Sequence, residues 1–208
     1  MTGEGLRVLV VCTGNICRSP AAERWLAALS DGSVSVASAG VAALVGADID
    51  PAMAALMSAA GLRVDGFAAR QLTPPMIRHA DLVLTMTASH RRWVVGRVPA
   101  AVRKTYTLLE LARIARLVDE QYPGAASSMA RRLIGLELAV PQVRPRLSHG
   151  IAGAGTEAGG APGVEAVAGF DGIDVPDPYG GDASAFQYAF DLIRAAAGVI
   201  AGRPAPLA

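Results

Sequence analysis

Short apolar runs alternate along this chain with stretches in which apolar residues recur at helical spacing. The first run, Leu6–Val11, is nearly continuous and rich in β-branched residues. Such a run is typical of a strand buried on both faces of a parallel sheet. Three further strands are predicted, at Ser33–Ser38 with an end at Gly40, at Asp81–Met86 and at Lys104–Leu108.

Helices are predicted between and after these strands. Ser19 followed by Pro20 is a start signal, with serine as N-cap and proline at the first helical position of Ala21–Leu29. The other predicted helices are Asp50–Ala60 before Gly61, Ser89–Val95, Leu109–Asp119, Ser128–Leu138 and Ser184–Ala201. Strands that alternate with helices indicate an α/β fold, in three layers with a four-stranded parallel sheet flanked by helices, as in flavodoxin.

The length of 208 residues suits one domain with an additional segment. The region 121–172 is less regular than the rest. Beyond its one predicted helix it contains a proline-spaced basic run, Pro141–His149, and a Gly/Ala-rich stretch, Gly150–Gly169, which is typical of a surface loop. We therefore expect a single domain over residues 1–208 with an insertion at about 121–172.

Charge and hydropathy narrow the class of protein. The net charge is +1 and 18% of residues are charged, which argues against a dedicated nucleic-acid-binding protein. No stretch approaches the roughly 20 apolar residues that a membrane span needs. The N-terminus has no basic region, and Leu6–Val11 is too short for a signal sequence. We expect a soluble, cytoplasmic protein.

Two cysteines, Cys12 and Cys17, occur in the chain. One such pair does not make a disulfide framework, and it cannot complete a four-ligand zinc site. The three histidines, His79, His90 and His149, lack metal-binding spacing and are expected at the surface or at helix ends. No metal or cofactor is therefore expected. A free cysteine is most often a small core residue, but the neighbours of Cys12 indicate another role.

The residues from Cys12 to Ser19 lie between a predicted buried strand and a predicted helix. Ligands bind at the carboxyl ends of strands in such sheets, and a helix N-terminus offers unpaired N–H groups to an anion. Gly14 permits close approach, and Asn15 tolerates the left-handed conformation that an anion-binding loop requires. Arg18 supplies a planar bidentate donor for phosphate oxygens. The loop is therefore predicted to bind an oxyanion.

Cys12 lies at the end of the first strand and is expected to face the same N–H groups. A field that binds phosphate also favours a thiolate, which is the nucleophilic form of cysteine. Ser19 can donate a hydrogen bond to the sulfur, or act only as the helix N-cap, or do both. Cys12 is thus a candidate nucleophile toward the bound oxyanion.

Cleavage of a phosphate ester by a thiolate needs a proton for the leaving oxygen, and a carboxylic acid can supply it. The candidates near the end of the chain are Asp171, Asp174, Asp177 and Asp182. Asp177 precedes Pro178, which biases its backbone toward an extended conformation. The residues alone leave Asp177 and its neighbours open as alternatives.

The string from Val10 to Pro20, VVCTGNICRSP, closely resembles the signature of the bacterial low-molecular-weight protein-tyrosine phosphatases. The resemblance continues in Ser38-Ala39-Gly40, in Asp81–Met86 and in Asp177-Pro178-Tyr179, and it covers about residues 6–120 and 171–202. It implies the phosphotyrosine phosphatase I-like fold. It also implies a tyrosine-phosphorylated protein, for example a bacterial tyrosine kinase, as the partner.

This resemblance implies a role for each site residue. Cys12 would attack phosphorus to form a phosphocysteine, Arg18 and the loop amides would bind the oxygens, and Asp177 would be the general acid. Tyr179 would lie on the substrate rim. Loop support would come from Thr13, Gly14, Asn15, Ile16, Cys17 and Ser19, with Asn15 holding the loop and Ser19 stabilising the thiolate. In the family Cys17 would form a reversible disulfide with Cys12, and a packed core thiol is the alternative.

The chain departs from the family pattern at two rim positions. Position 180 is glycine, where some members have a second tyrosine, and Leu44 and Val45 replace an aromatic wall. Two other functions are therefore kept as alternatives. One is a small-thiol-coupled arsenate reductase, since the thioredoxin-coupled kind needs cysteines beyond Cys17 that the chain lacks. The other is a non-catalytic phosphate-binding regulator.

Overall fold

A computed structural model describes residues 5–124, 128–149 and 172–203 of the chain. Its centre is a parallel sheet of four strands in the order β2-β1-β3-β4. The strands are β1 (Leu6–Cys12), β2 (Val34–Gly40), β3 (Leu82–Thr85) and β4 (Thr105–Thr107). β1 pairs with β2 along its whole length, from Leu6 opposite Val34 to Cys12 opposite Gly40. The predicted α/β fold with a four-stranded parallel sheet is confirmed.

Helices connect the strands and cover both faces of the sheet. The α-helices of the described ranges are α1 (Arg18–Leu29), α2 (Pro51–Ala59), α3 (Pro74–His79), α4 (Ala88–Arg97), α5 (Leu108–Gln121), α6 (Met129–His149) and α7 (Ala183–Ala201). A 3-10 helix, Pro99–Lys104, leads into β4. No helix among the described residues is both long enough and apolar enough to cross a membrane.

The side chains of β1 alternate between two hydrophobic clusters. Val8, Val10 and Cys12 face the larger cluster, which includes residues of α1, α2, α5, α6 and α7. Leu9 and Val11 face the smaller cluster, which α3 and α4 cover on the other side. Since both faces of β1 are buried, the strand reads as a continuous apolar run in the sequence. The sheet is thus the middle of three layers, and the chain passes from the carboxyl end of β1 through a loop into α1.

Helix α1 begins earlier than the sequence predicts. Its N-cap position is Cys17, which makes no side-chain capping bond, and the helix already includes Arg18 and Ser19. The prediction of Ser19 as N-cap is therefore wrong. Pro20 is still tolerated because the N–H groups of the first helical turn have no intrahelical partner. This start frees the Ser19 hydroxyl for other contacts.

Two helical segments are absent from the sequence prediction, α3 (Pro74–His79) and the 3-10 helix Pro99–Lys104. Each is six residues long, which is too short for an amphipathic period to be recognised. Each also begins with proline, which suits a first helical position.

Helix α6 extends beyond its predicted end at Leu138 and runs through Pro141 to His149. The predicted helix end at Leu138 is therefore wrong, and the proline-spaced run Pro141–His149 forms the second part of the helix. An interior proline removes one helical hydrogen bond, but Val143, two residues further on, is fully buried in the larger cluster. Packing of this side chain outweighs the local preference. The Gly/Ala-rich stretch Gly150–Gly169 lies outside the described residues.

The N-terminus of α6 is bound by the turn between α1 and β2. The N–H of Met129 donates to Asp31 Oδ2 at 3.1 Å, and the N–H of Ala130 donates to Ser33 Oγ at 3.0 Å. These bonds satisfy two donors that a helix leaves unpaired at its start. These two bonds attach the start of helix α6 to the turn before β2. The helix also packs on α5 and α7.

Candidate active site

The loop between β1 and α1 is held by hydrogen bonds to its outer side. Four of its carbonyl oxygens accept backbone N–H groups of the segment 41–50: Cys12 from Val41 at 2.9 Å, Thr13 from Ala42 at 3.0 Å, Gly14 from Leu44 at 3.0 Å and Ile16 from Asp50 at 2.9 Å. In a trans peptide the C=O and the following N–H point in opposite directions. The N–H groups of the next residues therefore point into the loop, as an anion-binding loop requires.

The sulfur of Cys12 lies at the carboxyl end of β1, inside this loop. It is 2.9 Å from Ser19 Oγ and accepts the N–H of Asn15 at 3.3 Å. Cys12 is only 2% exposed. Both contacts can donate hydrogen to sulfur and so stabilise negative charge on it. The geometry fits a nucleophilic thiolate held by the loop that would bind its target.

Asn15 adopts a left-handed backbone conformation, with φ 57°, and its side chain is fully buried. Its Nδ2 donates to Ser19 Oγ and to Ser38 Oγ, each at 2.9 Å, and its Oδ1 accepts the N–H of Arg70 at 2.7 Å. Ser38 in turn donates to Glu23 Oε2 at 2.5 Å. One amide therefore ties the loop to α1, to β2 and to the segment before α3.

Arg18 is 3% exposed, and its guanidinium has acceptors from two parts of the chain. Nη1 donates to the carbonyl of Val175 at 3.2 Å, and Nη2 donates to Thr13 Oγ1 at 3.4 Å and to Asp177 Oδ2. A guanidinium fixed by protein acceptors keeps its plane oriented. Arg18 thus spans from the loop to the segment that carries Asp177.

The segment before α7 places Asp177 over the loop. The N–H of Val175 donates to the carbonyl of Met86 at 2.8 Å, which anchors the segment to the end of β3. The N–H of Tyr179 donates to Asp177 Oδ1 at 3.3 Å. The Asp177 side chain is 49% exposed and so can reach both Arg18 and solvent.

The other candidate acids have different positions. Asp174 Oδ1 accepts the N–H of Ala88 at 2.7 Å, at the start of α4. Asp182 is the N-cap of α7 and accepts the N–H of Ala185 at 3.0 Å. Asp171 lies outside the described residues. Of the three described candidates, Asp177 is the one that lines the pocket.

The pocket above the loop has a volume of about 190 Å³. Its polar lining includes Cys12, Arg18 and Asp177, and its apolar lining includes Ile16 and Leu44. Tyr179 stands at its edge and is 63% exposed, although it also lines the pocket. Thr13, Gly14 and Cys17 complete the loop side of the lining. The structure therefore brings together every site residue that the sequence predicts except Asn15 and Ser19, which support the loop from behind.

Comparison with known proteins decides the family. The family model for low molecular weight phosphotyrosine protein phosphatase matches residues 7–133. The chain belongs to this family. Its membership confirms the resemblance that the loop sequence indicates, and the three-layer α/β fold agrees with it.

Individual relatives have the same family name. Wzb of Salmonella typhi, a low molecular weight protein-tyrosine-phosphatase, is 49% identical over 84 residues, which make up 40% of this chain and 56% of Wzb. This match thus spans little more than half of the length of Wzb. EpsP of Ralstonia solanacearum, a probable low molecular weight protein-tyrosine-phosphatase, is 35% identical over 143 residues, 66% of this chain and 95% of EpsP.

A solved structure extends the likeness over most of the chain. Vibrio vulnificus Wzb in complex with benzylphosphonate superposes with a TM-score of 0.62 and 27% identity. The superposition covers 95% of this chain and 98% of that one.

His90 is a residue beside the loop that the sequence analysis does not identify as part of the site. It is 7% exposed and lies in the first turn of α4, at a helix end, which is one of the two positions expected for it. Its Nε2 is 2.9 Å from Thr13 Oγ1, and its Nδ1 is 2.9 Å from Thr87 Oγ1. Burial, followed by the positive charge of Arg18, lowers the pKa of His90 to about 4. The imidazole is therefore neutral at physiological pH.

The second cysteine of the loop, Cys17, is buried and lines the pocket. Both Cys12 and Cys17 are free thiols. Burial, with added repulsion from the Asp50 carboxylate, raises the pKa of Cys17 to about 12. Cys17 is therefore a protonated thiol at neutral pH, which separates its chemistry from that of a nucleophile.

Proposed function

We propose that this chain is a protein-tyrosine phosphatase that hydrolyses phosphotyrosine esters through a phosphocysteine intermediate. One observation carries the proposal: the Cys12 sulfur, the inward-pointing loop amides, the Arg18 guanidinium and the Asp177 carboxylate all line one pocket. These are a nucleophile, an oxyanion site and a proton donor, which together suffice for transfer of a phosphoryl group to sulfur.

In the first step the Cys12 thiolate attacks phosphorus in line with the ester bond. The sulfur–phosphorus bond forms as the bond to the phenolic oxygen breaks, and the protonated carboxyl of Asp177 gives its proton to that oxygen. Arg18 and the loop amides hold the three equatorial oxygens, on which negative charge is spread. Tyrosine leaves as the neutral phenol.

In the second step water attacks the phosphocysteine from the side that the phenol has left. The Asp177 carboxylate accepts a proton from this water, so one side chain acts first as acid and then as base. The sulfur–phosphorus bond breaks, and inorganic phosphate and the Cys12 thiolate are formed. The hydroxyl of Ser19, 2.9 Å from the sulfur, stabilises the thiolate as the leaving group.

The contact between Arg18 and Asp177 couples substrate binding to the acid. A phosphate dianion offers Arg18 a bidentate partner, which a single carboxylate oxygen does not. The substrate therefore replaces Asp177 on the guanidinium. Asp177, which is half exposed, is then free to face the ester oxygen.

The apolar lining supports an aromatic ester. Ile16 and Leu44 line the pocket together with the ring of Tyr179, and an aromatic ring can stack on such a wall. A phosphoserine side chain is too short to use these contacts while its phosphate reaches the loop. The charged guanidinium of a phosphoarginine would lie against apolar groups, which is unfavourable.

The partner that follows from this site is a protein with an exposed phosphotyrosine, and a bacterial tyrosine kinase is our candidate. Wzb and Etp, whose names identify them as tyrosine phosphatases, are relatives of this chain. We also propose a cytoplasmic location. A thiolate nucleophile with a second thiol beside it in the pocket functions only in a reducing compartment.

A substrate panel tests the proposed function. Phosphate release is measured from one peptide that carries phosphotyrosine, phosphoserine or phosphoarginine at the same position, and arsenate-dependent oxidation of glutathione is measured in parallel. We expect turnover of the phosphotyrosine peptide, with Tyr179→Ala raising KM. Tyr188→Ala, at an exposed tyrosine on α7 outside the pocket, is the matched control. Preferred turnover of another substrate, or activity only with arsenate, would contradict the proposal.

A further inference from the structure

The hydroxyl of Thr13 lies between the phosphate-binding arginine and a buried histidine. Its Oγ1 is 3.4 Å from Arg18 Nη2 and 2.9 Å from His90 Nε2. Thr13 is exposed, so its χ1 is free to rotate unless a neighbour holds it. His90 is the group in a position to do so, because it is buried and is fixed on its other side by Thr87.

The chemistry of these groups fixes the direction of the bond from Arg18 and restricts the bonds to His90 to two tautomers. A guanidinium only donates, so Thr13 Oγ1 accepts from Arg18 and keeps its own hydrogen for another acceptor. A neutral imidazole has one acceptor nitrogen and one N–H. We assign the tautomer that forms a continuous chain, from Arg18 to Thr13, from Thr13 to His90 Nε2, and from His90 Nδ1–H to Thr87 Oγ1. Thr87 also accepts the backbone N–H of His90 at 3.2 Å.

We propose that His90 is a positioning residue of the phosphatase site, which orients the Thr13 hydroxyl and through it the Arg18 guanidinium for oxyanion binding. The proposal rests on the proposed function only in that Arg18 binds the phosphoryl oxygens. The side-chain hydrogen bonds of His90 are to Thr13 and Thr87, and not to the nucleophile or the acid. Its effect is therefore on how well the guanidinium is preorganised.

The surroundings of His90 favour this neutral role. Burial disfavours a protonated imidazole most strongly and Arg18 repels it, while the carboxylates of Asp177 and Asp174 act in the opposite direction and each by less. A protonated ring would also turn Nε2 from acceptor into donor. The Thr13 hydroxyl would then lose its acceptor while it still accepts from Arg18. A neutral ring is thus the form that completes the chain of bonds.

Two substitutions of His90 test the contacts of Nδ1 and of Nε2 separately. The terminal amide of asparagine lies near the position of Nδ1, so His90→Asn keeps a partner for Thr87 and removes the contact with Thr13. The amide of glutamine lies near the position of Nε2, so His90→Gln keeps the contact with Thr13. Thr13→Val removes the hydroxyl with little change of shape. His79→Gln changes a histidine that contacts Arg7 outside the pocket and is the matched control.

The experiment measures the affinity of each variant for inorganic phosphate by isothermal titration calorimetry, with kcat/KM on p-nitrophenyl phosphate alongside. We expect His90→Asn and Thr13→Val each to weaken phosphate binding by about tenfold, the effect of one lost bond to a charged group. His90→Gln should recover most of this loss, and the double variant His90→Asn/Thr13→Val should be no weaker than Thr13→Val. His79→Gln should bind as the wild type does.

Two results would overturn the proposal: wild-type phosphate affinity in His90→Asn, or losses that add in the double variant. If His90→Asn does not fold, Thr13→Val decides the matter, and unchanged affinity in that variant contradicts the proposal. Because phosphate affinity does not depend on turnover, an inactive wild type would refute the proposed function and leave this test intact. A general loss of stability would not produce recovery by glutamine alone.

Discussion

Gly40, the last residue of β2, lies directly against the backbone carbonyl of Thr13. A Cβ on Gly40 would overlap that oxygen and would also lie 3.0 Å from the N of Asn15 and 3.1 Å from the Cα of Ala43. All three atoms are backbone and cannot rotate away. The end of β2 therefore forms a wall that holds the loop between β1 and α1 in place.

Gly40→Ala should therefore lower activity through loop displacement. We expect kcat/KM on p-nitrophenyl phosphate to fall on the order of 10²-fold, as for an ångström-scale displacement of a site. Gly96→Ala is the matched control, because Gly96 lies in α4 with open space around its Cα. It should retain activity and gain roughly 0.5–1 kcal/mol of stability. Equal activity of Gly40→Ala and the wild type would contradict the account.

Replacement of Asp177 by alanine tests its proposed role as the general acid. We expect kcat to fall on the order of 10²-fold or more for loss of a positioned acid. The fall should be larger on phenyl phosphate than on p-nitrophenyl phosphate, because the better leaving group needs less protonation. Phosphate binding should not weaken, since Arg18 loses a competing carboxylate. Asp182→Asn is the control, since Asp182 caps α7. An unchanged kcat in Asp177→Ala would move the role to Asp174 or Asp182.

Helix α6, which lies in the predicted insertion, contributes to stability through Arg132. Its guanidinium donates to both oxygens of Asp119 and to the carbonyls of Val199 and Ile200, at 2.8 Å in every case. It therefore joins α6 to α5 and satisfies the last carbonyls of α7. Arg132→Ala should lower the free energy of unfolding by about 2 kcal/mol. Arg131→Ala, at an exposed neighbouring position, should change it by less than about 0.5 kcal/mol.

Urea unfolding of both arginine variants measures these values, and the activity of folded Arg132→Ala should equal that of the wild type. Equal unfolding free energies in the two variants would mean that the Arg132 hydrogen bonds do not hold α6 to α5 and α7.

The neutral state of His90 predicts a pH dependence of stability. Its pKa is lowered to about 4 in the folded protein, from 6.5 for an ordinary histidine. Between these values the unfolded chain binds more protons than the folded one, so stability rises with pH through this window. We expect the Tm of the wild type to fall more steeply than that of His90→Gln as the pH drops from 6.5 to 4. Parallel profiles would contradict a buried neutral imidazole.

Much of the fold and of the nucleophile loop follows from local sequence. The apolar run that becomes β1 is recognisable as a buried strand from the sequence alone, because both faces of that strand are buried. Cys12, Asn15 and Arg18 lie within seven residues, so their joint chemistry is visible without a structure. Asp177 is 159 positions from Arg18, and only the family's Asp-Pro-Tyr sequence selects it in advance.

The remaining features depend on contacts between distant parts of the chain. His90 and Thr13 are 77 positions apart, and nothing in the sequence around His90 indicates that partner. Its one available signal is its place just after β3, at the edge of the sheet where ligands bind. Helix α6 passes Pro141 because Val143 packs in the core, and local preference alone predicts a helix end there.

Replacement of Cys12 by serine tests the central claim most directly. The measurement is kcat/KM on a phosphotyrosine peptide for the wild type and Cys12→Ser, with phosphate affinity of both as proof that the loop is intact. We expect turnover by the wild type, and none above the uncatalysed background in Cys12→Ser although it still binds phosphate, since a serine hydroxyl in this loop lacks a general base. Equal turnover by the two proteins would contradict thiolate attack by Cys12.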